Sequence, residues 1–295
     1  LEGFDTNYLE DMSHMFGFSF DGFESLYRTS ALEITKQKDI DSWGDFEKLA
    51  ERSKEFCPSP ILFAGGNSDT LLGVVSCLAE SFIGTKNYEE LTETIAAANG
   101  DYSKFLEEQY NDSSSGLYES LHRLVSWKNR NFMLPEVFKM SDEDILSFMT
   151  YQNTAIVIMP LSSHRKIPND VVRGFKSLPE LSNEKQIYFP GNISIAERAV
   201  ISPVICLIPL SDSIVVKKTG AKMVSPATQE KLARETGLAP FLATNCRTPD
   251  IQSDDLRYWI AASNGALTPI GQSSFSDRNK KEEFAEAVRN FILAQ

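Results

Sequence analysis

The chain has 295 residues, 42% of them hydrophobic, enough to bury a sizeable core in one large domain or two of moderate size. Its 29 Lys and Arg against 41 Asp and Glu give a formal charge of −12 and a pI near 4.8; with the basic residues scattered, nucleic acid is disfavoured as a partner. No stretch reaches the roughly 18 successive apolar residues that a membrane-spanning helix needs; the nearest, Ala199 to Leu210, suits one or two buried strands.

Leu1 to Tyr27 is rich in Gly, Asp and aromatic residues and reads as irregular structure with short ordered pieces. No basic, then apolar signal segment follows Leu1, which fits a mature or trimmed chain and says nothing against export. Ile40 to Glu55 predicts a helix: Ser42 and Asp45 have capping-box spacing, and Phe46, Leu49, Ala50 and Ser53 make one face. Pro58 and Pro60 close it. Ile61 to Ala64 is then a short buried strand, Gly65 to Ser68 a polar turn, and Asp69 to Ile83 a helix. Strand, glycine turn and helix can expose backbone N–H groups to a ligand, but GGNSD has neither of the spacings that mark nucleotide loops.

Further helices are predicted over Tyr88 to Ala98, Tyr102 to Tyr110, Gly116 to Lys128 and Met140 to Thr150, the last opened by Ser141 and Asp144. Thr154 to Met159 reads as a buried strand ending at Pro160, and Leu161 to Arg165 as a polar loop at its carboxyl end, where open α/β sheets commonly bind ligands. Ile187 to Asn192 is a second such place. Val200 to Ile208 and Ile214 to Lys217 are strand candidates. Ser225 to Phe241 is a punctuated helix, with Ser225 before Pro226 at its start and Gly237 and Pro240 at its stop. Asp254 to Ser263 reads as helix and Gly265 to Ser276 as loop. The terminal helix, Asn279 to Leu293, would bury Phe284, Ala287, Val288 and Phe291. Strands alternating with amphipathic helices indicate an α/β protein.

His14, His122 and His164 are dispersed, and no HExxH or GxSxG element occurs, so no metal or cofactor is expected and a serine-nucleophile hydrolase is disfavoured. Carboxylate pairs such as those among Asp142, Glu143 and Asp144 are better read as helix starts than as a glycosidase pair. Cys57, Cys77, Cys206 and Cys246 lack zinc spacing; buried free thiols suit them best, with disulfides left open. An apolar platform with a few fixed polar groups would suit a sugar. Candidate ligand contacts are Trp127 near a helix end; Asn67 and Asp69, which alternatively cap the helix after them; Ser162, Ser163 and His164, alternatively an exposed turn; Tyr188 and Asn192; and Arg247, alternatively solvated. Trp43 fits core packing better, and Tyr258 with Trp259 is a lesser candidate.

Several short motifs in one order resemble the extracellular solute-binding proteins of ABC importers, in particular the sugar-binding branch. They are Leu26-Tyr27-Arg28-Thr29-Ser30-Ala31-Leu32, Ser42-Trp43-Gly44-Asp45-Phe46, the strand and turn from Pro60 to Gly66, Phe148 to Ile158, Ser225-Pro226-Ala227-Thr228-Gln229 and Gly237-Leu238-Ala239-Pro240. The resemblance covers Tyr8 to Leu293. Two departures stand out: Tyr151, Gln152 and Asn153 replace the family's Gly-Lys, and Leu161 to His164 replace the glycine and tryptophan of its sugar platform.

The resemblance implies a two-lobed α/β periplasmic-binding-protein-like fold of the Venus-flytrap type, with part of the first lobe missing. Residues 1–65 would be the remainder of that lobe and a crossover, 66–190 a mainly helical second lobe, 191–225 a return and crossing strands, and 226–295 closing helices. It also implies no enzyme activity, a small solute bound between the lobes, delivery to an ABC permease, a monomer, and a periplasmic or extracellular place with a lipid anchor upstream of Leu1. A carboxylate-pair hydrolase acting on carbohydrate and a noncatalytic surface protein are the alternatives.

Overall fold

The structure is a computed structural model that describes residues 16–37, 40, 42–98, 100–177, 198–207, 213–241, 256, 260 and 263–295. Two strands meet almost end to end near the amino terminus: β1 (Phe16–Phe20) and β2 (Phe23–Arg28), separated only by Asp21 and Gly22. They enter different sheets. β1 lies between β7 (Val204–Leu207) and β8 (Ala239–Pro240), antiparallel to both. β2 lies between β4 (Ile156–Pro160) and β5 (Phe175–Ser177), again antiparallel, and β3 (Ile61–Leu62) pairs parallel with β4 at the far edge. A third pairing joins β6 (Val200–Ile201) and β9 (Ala266–Leu267) in parallel.

The four-stranded sheet, ordered β3-β4-β2-β5, anchors the larger body. Ile156, Val157 and Ile158 of its inner strand β4 are fully buried, as expected of a strand covered on both faces. Around it lie α1 (Thr29–Thr35), α2 (Trp43–Ser53), α3 (Ser68–Ala97), α4 (Tyr102–Asn111), α5 (Tyr118–Asn129), a 3₁₀ turn (Pro135–Lys139), α6 (Asp142–Thr150) and, from the chain's end, α12 (Arg278–Ala294). Leu71, Leu72, Val74, Val75, Leu78 and Ala79 of α3 are all fully buried, and Thr70, Ser76 and Glu80 on its other sides are buried too, so this stretch is enclosed around its circumference and forms the axis of the core. Short α7 (Leu161–His164) and α8 (Asn169–Val172) follow β4, while α9 (Ile214–Met223), α10 (Pro226–Thr236) and α11 (Ile270–Ser273) occupy the last third. Among these, α10 packs on β1 and β8.

Local signals produced most helices as read. Ser42 Oγ accepts the Asp45 N–H at 3.2 Å, and the predicted face of Phe46, Leu49, Ala50 and Ser53 is fully buried. Ser141 and Asp144 close a complete capping box at the start of α6. Gly237 ends α10 at φ 75°, the left-handed conformation that favours glycine. The terminal helix buries Phe284 and Val288 as predicted, but its face is completed by Ala285 and Ile292, with Ala287 and Phe291 partly buried.

Other expectations change. The ordered pieces within the stretch read as mainly irregular are two strands, β1 and β2, whose pairing partners near residues 158, 176, 205 and 240 lie far off in sequence and leave no local pattern. The two helices expected over 69–83 and 88–98 are both present, but they meet directly at Gly84 with no loop between them, its non-helical φ of 75° and ψ of 172° kinking the axis. The long strand candidate from Val200 is cut in two at Ser202 and Pro203. Ile214 to Lys217 is the start of a helix, not a strand: Ser213 Oγ accepts the Val215 N–H at 3.3 Å, and the β-branched side chains of Ile214 and Val215 stay exposed. Gly265 to Ser276 contains β9 and α11, and Leu161 to Arg165 contains α7. Most of Asp254 to Ser263 lies outside the described residues.

Cys57, Cys77 and Cys206 are free thiols, the first two buried; Cys246 lies outside the described residues. Among the described residues no helix is long and apolar enough to cross a membrane.

Candidate functional site

The parallel pair β3 and β4 aligns Ile61 with Ile156 and Leu62 with Val157, so both strands deliver their carboxyl ends to one edge. From β3 the chain passes through Gly65 and Gly66 into α3. Both glycines are required by close approach: a Cβ on either would lie 2.7 Å from a backbone oxygen, that of Val137 or of Lys139. The Gly65 and Gly66 N–H groups donate to Val137 and Met140 carbonyls at 3.1 and 3.0 Å, and Arg289 donates to both glycine carbonyls. These N–H groups are therefore spent inside the fold, and the turn is a docking point for the 3₁₀ segment rather than an anion cradle.

Asn67 and Asp69 follow the turn. Asn67 Oδ1 accepts the Asp69 and Thr70 N–H groups at 2.9 and 3.3 Å, which makes it the N-cap of α3. Asp69 pairs with Lys281 Nζ at 2.8 Å on an exposed surface. Thr70, one residue on, turns into a pocket of about 160 Å³ at the carboxyl end of β4. Its floor is apolar, from Ala64, Ile145, Ile158 and Met159, and its rim carries Asp142, Ser163 and Lys166. Partial desolvation pushes the Asp142 carboxyl above its ordinary range, the Lys166 charge opposes this, and Glu143 adds to it.

The three neighbouring candidates on α7 point in different directions. Ser163 lines the pocket. Ser162 turns the other way and donates from its hydroxyl to Asp21 Oδ2, while its N–H donates to Asp21 Oδ1 at 3.1 Å. His164 is buried, with Nδ1 hydrogen-bonded to the buried Glu24 Oε1. Burial raises the Asp21 carboxyl, against hydrogen bonds from Ser162 and Gly22 and the charge of Arg165.

Trp127 sits elsewhere. It is fully buried, stacked on Phe46 at 5.3 Å between centroids, and its Nε1–H donates to Glu47 Oε1 at 3.1 Å. No face of the indole is left for a ligand. Trp43 is likewise core, close to Phe46, Phe82 and Trp127. Tyr188, Asn192 and Arg247, and the lesser pair Tyr258 and Trp259, lie outside the described residues. Of the described candidates, the fold thus brings Ser163 to the pocket, sets the Asn67 cap one turn from it, and sends Ser162 and His164 inward.

Sequence reasoning missed Thr70, Lys166, Asp21 and Glu24. Asp142 was noticed only as a helix start. Lys166 and Asp142 meet only because α6 and the segment after α7 converge on one pocket, a juxtaposition no local pattern encodes. Among the described residues no group of three or more His, Cys, Asp or Glu side chains is placed to hold a metal ion.

The sequence matches no protein-family model and no curated protein. Solved structures do match over most of the chain at low identity. A protein described as a probable secreted solute-binding lipoprotein from Streptomyces coelicolor aligns at 12% identity and a TM-score of 0.58, covering 95% of this chain and 70% of its own. A sugar transporter from Bacillus licheniformis in complex with stachyose aligns at 13% and 0.57, covering 95% and 72%. A bacterial solute receptor with an exclusive preference for β-D-galactopyranose aligns at 11% and 0.64, covering 94% and 71%. The chain has an α/β, two-lobed periplasmic-binding-protein-like fold.

Proposed function

We propose that this protein binds a small solute, a sugar or an oligosaccharide, between its two lobes and delivers it to an ABC-importer permease, working as a monomer outside the cytoplasmic membrane. The observation that carries this reading is the pocket beside Ser163, set at the carboxyl ends of the parallel strands β3 and β4 in a fold shared with solute-binding structures. Such strand ends are where open α/β sheets receive ligands.

The pocket's size limits it to a single ring or one face of a ring. A volume of about 160 Å³ is close to that of an apolar cavity of ~150 Å³ known to hold benzene. Its apolar floor suits the C–H face of a sugar residue, and Asp142, Ser163, Thr70 and Lys166 supply acceptors and donors for hydroxyl groups. Binding energy gained only in the closed arrangement would shift an open–closed equilibrium, which is all a delivery protein requires. No covalent step is needed.

Titration calorimetry of the intact chain against a panel of monosaccharides and oligosaccharides tests the reading. Saturable binding without turnover is expected, weakened about tenfold by Ser163→Ala or Lys166→Ala, as loss of one hydrogen bond to the solute implies. Uniform absence of binding, or affinity indifferent to both substitutions, overturns the assignment of this pocket.

A further inference from the structure

Asp21 occupies a position that neither its residue type nor its neighbours in sequence announce. It lies in the two-residue link between β1 and β2, hence between the sheet containing β7 and β8 and the sheet containing β3, β4 and β5. Its backbone also holds the link between the β6–β9 pairing and β7: its N–H donates to the Pro203 carbonyl at 2.9 Å, and its own carbonyl accepts the Ser202 hydroxyl. Ser202 and Pro203 are the residues between β6 and β7.

Its side chain reaches in a third direction. Oδ1 accepts the N–H groups of Gly22 and Ser162 at 2.9 and 3.1 Å, and Oδ2 accepts the Ser162 hydroxyl. The adjacent Gly22 carbonyl accepts the Leu161 N–H at 2.9 Å. The amino-terminal half of α7 is therefore tied to the link between sheets, while Ser163, the next residue, faces the pocket. On the other side α10 presses against the same turn: a Cβ on Gly237 would lie 3.2 Å from Ser162 Cα. Asp21 is only 6% exposed, so these bonds are made without competition from water.

We propose that Asp21 is a positioning residue that couples the arrangement of the two sheets to the placement of α7 and hence of Ser163 in the pocket. Relative rotation of the sheets must turn the backbone at Asp21 and Gly22, and the carboxylate transmits that turn to Ser162. An isosteric amide preserves the geometry: Oδ1 of an asparagine accepts both N–H groups and its Nδ2 donates to the Ser162 hydroxyl. A methyl group preserves none of it.

Hydrogen-exchange mass spectrometry on the full chain tests this, comparing wild type with Asp21→Ala, Asp21→Asn and Ser162→Ala. Asp21→Ala is expected to raise exchange about tenfold in peptides covering both 158–165 and 200–205, the loss of protection expected when a buried hydrogen-bonded group is deleted, with α5 unchanged. Asp21→Asn is expected to restore it. Unchanged exchange around α7, or an asparagine variant that behaves like the alanine one, overturns the proposal. Should Asp21→Ala fail to fold, Ser162→Ala decides: increased exchange that spreads to 200–205 supports the coupling, and an increase confined to α7, or none, refutes it. The exchange experiment uses no solute, so it stands apart from the binding reading on which the consequence for Ser163 rests. A wild type that binds no sugar would remove that reading and leave the coupling judged on its own.

Discussion

Glu80 of α3 and Arg198, just ahead of β6, form a buried ion pair across 118 residues of sequence. Glu80 Oε2 accepts from Arg198 Nε and Nη2 at 3.2 and 3.0 Å, and Glu80 Oε1 accepts the Ala199 N–H at 2.7 Å. Both side chains are almost wholly removed from solvent, at 1% and 4% exposure. The pair pins the axis of the core to the start of the β6–β9 pairing.

Removing one partner leaves the other charge buried, which costs about 3–5 kcal/mol. Glu80→Ala and Arg198→Ala should each lower the stability measured by urea denaturation by that order. The double variant should lose less than the sum of the two, since the second deletion removes the stranded charge. Additive losses would show that the two side chains act independently.

Asp21 gives a pH dependence of determinate sign. Burial raises its carboxyl above the ordinary 3.8, so the folded protein holds this proton to a higher pH than the unfolded chain. Within that window the folded state binds more protons, and the group's contribution to stability, full below 3.8, is lost as pH rises through the folded value. Asp21→Asn cannot titrate. The stability of wild type minus that of the variant should therefore fall as pH is raised from about 4 toward neutrality, read from urea midpoints at each pH. A difference that stays flat or grows would contradict the sign.

Gly73, inside α3, faces Phe23 of β2. A Cβ there would lie 2.0 Å from Phe23 Cζ, and the Phe23 ring is itself buried. Gly73→Ala should destabilise by about 1–3 kcal/mol through overpacking, although alanine is the better helix former by ~1 kcal/mol. Adding Phe23→Leu should recover part of the loss in thermal melts. A stabilising Gly73→Ala would mean that the helix and sheet separate at little cost.

Trp127 distinguishes a core role from a ligand role. Trp127→Ala should cost about 3–5 kcal/mol, the usual penalty for truncating a buried aromatic. Trp127→Phe should retain the stack on Phe46, lose the bond to Glu47, and leave solute affinity unchanged in calorimetry. A selective loss of affinity in a stable Trp127→Phe variant would return the indole to the binding site.

Pattern reading succeeded where the cause was local. The Ser42 and Ser141 caps, the buried face from Phe46 to Ser53 and the Gly237 stop each depend on atoms within a few residues, and each was legible. The β1–β2 region was not. Asp21-Gly22 between aromatic-rich segments even has the composition of a hairpin turn, yet the flanking strands pair with residues 156–160, 175–177, 204–207 and 239–240, and not with each other. The run Ile214 to Val216 shows the converse failure: β-branched residues suggest a strand, but a capped helix satisfies the backbone without any partner strand.

What the sequence by itself determined is therefore the set of capped, amphipathic helices, the buried strand at 156–160 and, through the order of short motifs, the two-lobed α/β class. Those properties arise from periodicity and capping, which act over one or two turns of chain. Only the tertiary structure decided that Trp127 belongs to the core, that Ser162 and Ser163 face opposite ways, and that Asp21 joins two sheets and α7. Each of these depends on which distant segment fills the space beside the residue, and a side chain's chemistry is settled by that neighbour as much as by its own type.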